Sequence, residues 1–152
     1  LETFNEEGLL ESYKDFEMED WSGSAWPPLW MSVDLWDQIE GFSEEFSPGM
    51  YSDPDMAMKA WQIGVRYFRG IGKSRVYHFG SKSTARLNEK ENVGRQIFIR
   101  KWGLTARYFY KFYLEMGAIF EGSLNEPKHP FMGRMINKWK HLQAQKAKLT
   151  EN

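Results

Sequence analysis

Ser52-Asp53-Pro54-Asp55-Met56-Ala57-Met58-Lys59-Ala60-Trp61-Gln62-Ile63-Gly64 is the stretch on which the reading of this chain turns. Proline without its N–H suits the first turn of a helix, and acidic residues there face the positive end of the helix dipole. Met58, Trp61 and Ile63 supply the apolar side, and Gly64 provides a stop. A helix therefore begins beside Asp53, and whatever Asp53 does is done at that helix's N-terminus. Taken from the helix alone, Asp53 reads as its cap.

Outward from this helix, Val65-Arg66-Tyr67-Phe68 and Arg75-Val76-Tyr77-His78-Phe79 alternate as strands do, with Gly70-Ile71-Gly72 between them. Upstream, Asn5 caps a short helix to Phe16, and Trp26-Pro27-Pro28-Leu29-Trp30-Met31 reads as a turn into a short buried strand. Ser32 caps a helix carrying Val33, Trp36 and Ile39, which Gly41 ends. Downstream, Gly80 to Thr84 is a loop, and Asn88 with Glu91 forms a capping-box pattern for a helix to Trp102. Thr105 caps the next helix, and a last one covers roughly Phe131 to Leu149. Strands mixed with helices indicate α/β, with too few strands for a full doubly wound sheet.

The 152 residues suffice for one ordinary core, and cysteine is absent, which excludes disulfides and thiolate metal sites. No window approaches a membrane span, and the N-terminus lacks a basic-then-apolar secretory run, so a soluble chain is expected; the absence of cysteine fits a reducing compartment, and the expected setting is cytoplasmic. The net charge of −1 hides an asymmetry. Residues 1–55 hold 15 acidic residues and one basic; the remainder holds 6 acidic and 19 basic. Such halves either attract one another in a folded domain or leave an acidic mouth opposite a basic flank that meets phosphates or anionic lipid. Nucleic acid is not an expected partner, because the basic residues are interspersed with aromatics and the acidic half repels a polyanion.

Ile39-Glu40-Gly41-Phe42-Ser43-Glu44-Glu45-Phe46, then Ser52-Asp53-Pro54-Asp55 through Lys59, Gly64, His78 and finally Lys101-Trp102-Gly103 together resemble the second half of the family 2 glycosyltransferases. The resemblance spans about residues 26 to 117. Glu40, Ser43, Ser52 and Lys59 stand where the family commonly has Gly, Asp, an acid and Arg. It implies the acceptor-side half of a GT-A fold with extra C-terminal helices: residues 1–125 form the acceptor and catalytic-base half, and 126–152 a basic amphipathic helix. The expected donor is a nucleotide sugar, the acceptor a glycan or lipid-linked glycan, the cofactor Mg²⁺ or Mn²⁺, and the outcome inverting transfer. No Asp-x-Asp metal motif precedes residue 26, so the nucleotide-binding half is expected to be missing and the chain alone inactive.

Carried over residue by residue, the resemblance makes Asp53 the base that deprotonates the acceptor hydroxyl. Trp26, Ser52 and Asp55 fall on the acceptor side, Trp26 offering a face on which a sugar ring stacks. His78 is the expected metal ligand. Ser81, Lys82, Ser83, Thr84 and Arg86 supply hydroxyls and charge for the donor diphosphate. Trp30 is assigned to the core. The last helix places Phe131, Met132, Met135, Ile136, Trp139 and Leu142 on one side and Arg134, Lys138, Lys140, Lys146 and Lys148 elsewhere. It either packs on the domain or a partner, or lies peripherally on an anionic membrane surface. A non-catalytic carbohydrate-binding or assembly module and a membrane-surface adaptor are the rival functions.

Overall fold

The computed structural model describes residues 4–47, 49–77 and 88–147, with backbone alone for 88–92. In chain order these residues form α1 (Glu6–Ser12), β1 (Trp21–Ser22), α2 (Val33–Gln38), α3 (Ser52–Gln62), β2 (Arg69–Gly70), α4 (Asn88–Trp102), α5 (Ala106–Phe112) and α6 (Phe131–Lys146). Short 3₁₀ turns cover Tyr13–Phe16 and Glu44–Phe46. The architecture is helix-rich with a small antiparallel two-stranded sheet, compatible with a general α/β class.

Three helix starts are fixed by side chains that satisfy otherwise unpaired backbone N–H groups. Asn5 Oδ1 accepts from Gly8 N at 2.9 Å, Ser32 Oγ from Leu35 N at 3.2 Å and Thr105 Oγ1 from Tyr108 N at 3.2 Å. These are the caps expected from the sequence. Around them the core gathers Phe46, Met56, Met58, Phe98, Phe109 and Leu114, all fully buried. α3 lies at the centre, packed on α5, while α4 meets the 44–46 turn, α5 and α6. Trp61 joins α3 to the rest, stacking with Phe68 at 6.3 Å and meeting Tyr113 edge-on at 5.3 Å.

The expected strands are the main correction. Residues 65–68 form no strand: Leu124 N donates to Arg66 O and Gly23 N to Phe68 O, isolated bonds to two different segments. Regular pairing starts only at Arg69–Gly70, opposite Ser22 and Trp21. Residues 75–77 form no strand, and 78–79 lie outside the described residues. Leu29–Met31 is not a buried strand either. It follows a cis Pro27–Pro28 peptide as irregular chain, and Trp30, assigned to the core, is 94% exposed. A Trp after two prolines carries no period to say which way it faces.

The charge asymmetry is realised as contacts. Among the described residues, Asp20–Arg69, Glu17–Arg75, Glu45–Lys101 and Asp55–Lys101 join the acidic first 55 residues to the basic remainder. Arg66–Glu126 lies wholly within the second part. The Gly72 N–H and then the Arg69 guanidinium hold the Asp20 carboxyl below its usual range.

α6 docks on the domain, but with the side opposite its apolar stripe. Gly133 lies against the Tyr108 ring, and Asn137 Oδ1 accepts from Thr105 N at 3.2 Å. His141 Nδ1 donates to Ile99 O at 2.8 Å, and Arg100 Nε donates to Ala144 O at 2.6 Å. Asn137 and Ala144 are buried, whereas the stripe faces out.

Candidate functional site

α3 begins at Ser52 without a side-chain cap; the residue before it, Tyr51, sits in the left-handed region at φ +73°. A non-glycine residue there is strained and persists only where its surroundings over-determine it. Here those surroundings are α4. The Tyr51 ring packs on Phe98 at 6.1 Å, and Gly94 approaches so closely that an added Cβ would stand 2.6 Å from Met50 O. Gly94→Ala therefore must push the 50–51 turn or α4 aside. The expected cost is about 1–3 kcal/mol, read as a lowered midpoint in denaturant unfolding at unchanged slope.

Asp53 is the second helical residue, so the cap reading is not realised. Its carboxylate takes no hydrogen bond or ion pair among the described residues, and burial alone pushes its pKa up. It lines an open cleft of about 960 Å³ with Trp26, Met50, Tyr51, Arg107, Tyr110, Lys111 and Glu115. Trp26 and Tyr110 make one wall. Their rings meet edge-on at 5.8 Å and 87°, and Trp26 Nε1 donates to the Tyr110 hydroxyl at 3.1 Å. Burial, then the Asp53 charge among smaller influences, pushes the Tyr110 phenol up to about 12. It therefore stays protonated, a donor beside a carboxylate. Trp26 remains half exposed, its ring available to a ligand.

The other acceptor-side candidates do not reach this cleft. Ser52 Oγ donates to Gly49 O at 2.6 Å and lines a separate shallow hollow with Phe42 and Ser43. Asp55 is fully buried, two residues on from Asp53 and so on nearly the opposite side of the helix. It accepts from Ser43 Oγ at 2.6 Å and Trp102 Nε1 at 2.8 Å, and pairs with Lys101 Nζ at 2.9 Å. Lys101 also reaches Glu45 at 2.6 Å. Burial opposes the Lys101 charge, but the Glu45 and Asp55 carboxylates outweigh it and hold its pKa above the ordinary value. The segments 43–45, 55 and 101–102 thus close on one carboxylate, which fixes the helix that presents Asp53.

His78, Ser81, Lys82, Ser83, Thr84 and Arg86 lie outside the described residues. Among the described residues no three His, Asp or Glu side chains meet, so these residues alone do not fit a divalent ion. Arg107, Tyr110, Lys111 and Glu115 were not expected in the site. Their signal was the helical spacing of Arg107, Tyr110 and Lys111, opposite the Phe109 side that the core takes.

Among the described residues no helix is long and apolar enough to cross a membrane. Comparison with protein-family models, with curated proteins and with solved structures finds no match for this chain.

Proposed function

We propose that the chain is the acceptor-side half of an inverting, nucleotide-sugar-dependent glycosyltransferase, with Asp53 as the general base. The observation that supports this most is the Asp53 carboxylate itself: unpaired among the described residues, part-buried, and placed in a cleft with an aromatic wall. A structural Asp is satisfied by partners, as Asp55 is. A base for a hydroxyl group needs a carboxylate whose lone pairs are open and whose pKa is raised toward neutrality.

In the proposed reaction an acceptor sugar stacks on Trp26 and presents one hydroxyl to Asp53. Its oxygen forms a bond to the donor's anomeric carbon from the side opposite the leaving group. The bond from that carbon to the nucleoside diphosphate breaks, the diphosphate leaves with the bonding pair, and the hydroxyl proton passes to Asp53. Tyr110, kept protonated, donates to a neighbouring acceptor oxygen, and Arg107 and Lys111 at the rim suit an acceptor that carries negative charge, such as a glycan linked to a lipid phosphate. The roles of His78 and of Ser81 to Arg86 toward a metal and the donor diphosphate rest on the sequence resemblance.

A second cleft, of about 430 Å³, shares Trp26 with the first and runs along Pro27, Pro28, Trp30, Tyr67 and Ile71. Trp30, Tyr67 and Ile71 are exposed along it, an apolar face suited to a nucleotide-binding half. The test is reconstitution. The 152-residue chain alone transfers no sugar, and joining it to a family 2 nucleotide-binding half, fused or in trans, yields transfer. Turnover by the isolated chain would overturn the proposal of a divided site.

A further inference from the structure

We infer that α6 is a surface-lying membrane helix, whose outward apolar stripe and basic flanks seat the protein on an anionic bilayer. Phe131, Met132, Met135, Ile136, Trp139 and Leu142 recur at helical spacing, and each is 48 to 73% exposed. A surface helix of a soluble domain turns such a stripe inward. Here the contact with α4 and α5 is made by Gly133, Asn137, His141 and Ala144 instead, so the stripe is left outermost by the same bonds that anchor the helix.

The charge on the helix selects the occupant. α6 carries Arg134, Lys138, Lys140 and Lys146 and no acidic residue at all. A second copy laid against the stripe would bring two wholly basic helices together with nothing on either to neutralise them. Anionic headgroups supply that counter-charge, while the stripe enters the acyl boundary and the long basic side chains reach back to the headgroups. Trp139, in the middle of the stripe, is of the type enriched at membrane interfaces. Sixteen helical residues span about 24 Å, and four charges along them keep the helix in the plane of the surface. This inference stands on α6 alone, independent of what the Asp53 cleft does.

Flotation of the 152-residue chain with vesicles tests it. The chain is expected to float with vesicles of phosphatidylglycerol mixed equally with phosphatidylcholine, to stay behind with pure phosphatidylcholine, and to be released by high salt. Arg134→Gln and Lys138→Gln should each weaken partitioning about fivefold. Phe131→Ser combined with Trp139→Ser should weaken it by at least about tenfold, with an unchanged melting temperature because both side chains are exposed. Two results would overturn the inference. One is wild-type chain that ignores the anionic vesicles; the other is a dimer in light scattering that Trp139→Ser abolishes, which would give the stripe to a second copy.

Discussion

Asp55→Ala is expected to lower the stability of this chain by about 3–5 kcal/mol, close to half of what a domain of this kind commonly has. Asp55 has no exposed surface, and its two carboxylate oxygens serve Ser43, Trp102 and Lys101 together. Removing it leaves the Trp102 indole N–H without its acceptor, and leaves Lys101 with Glu45 as its ion-pair partner and the Ser43 hydroxyl as its other acceptor. The loss of a buried partner costs the desolvation of the groups left behind, which exceeds the net worth of the bonds themselves. For a chain of this length the melting temperature falls by about 2–4 °C per kcal/mol, hence by roughly 6–20 °C. Asp55→Asn keeps an acceptor for Trp102 but loses the charge facing Lys101, and its cost should be smaller, about 1–3 kcal/mol. Thermal unfolding of both variants checks the order. An Asp55→Ala chain that melts within about 2 °C of wild type would show that the three segments do not depend on this carboxylate.

What the sequence revealed and what it hid divide along the range of the interactions. Asn5, Ser32 and Thr105 are caps because each bonds an N–H only three residues on, and such a bond is written in the local sequence. The span of α3 is legible for the same reason, from Pro54 near its start to Gly64 beyond its end. Trp26 and Asp53, named together for the acceptor side, do line one cleft. Ser52 and Asp55 do not, since a helix sends neighbouring residues to different sides. The alternation of Val65 to Phe68 does not make a strand, because a strand needs a continuous partner and that partner is set by tertiary packing. The stripe of α6 is visible in its periodicity, yet periodicity shows only that a stripe exists. Which side meets the domain was decided by Gly133, Asn137, His141 and Ala144, small or hydrogen-bonding residues that a hydrophobic count passes over.

The most direct test of the account is the turnover and melting temperature of Asp53→Asn, in the chain joined to a nucleotide-binding half. The substitution keeps size and leaves the cleft's shape, but replaces the basic carboxylate with a neutral amide that does not take up the proton. Loss of a positioned base lowers transfer by roughly 10² to 10⁴, about 3 to 5 kcal/mol of barrier, with donor binding little altered. Stability should move the other way. Burial raises the Asp53 pKa above its unfolded value, so folding favours the protonated form. Stability is then lost as pH rises from the unfolded value, about 3.8, through the folded one, and above that window the ionised carboxylate is a burden on the native state. Asp53→Asn should therefore melt at or above the wild-type temperature at neutral pH, an advantage that vanishes below pH 3.8. The account predicts a stable, nearly inactive enzyme; a less stable enzyme with wild-type turnover would remove Asp53 from the mechanism and return it to a structural role.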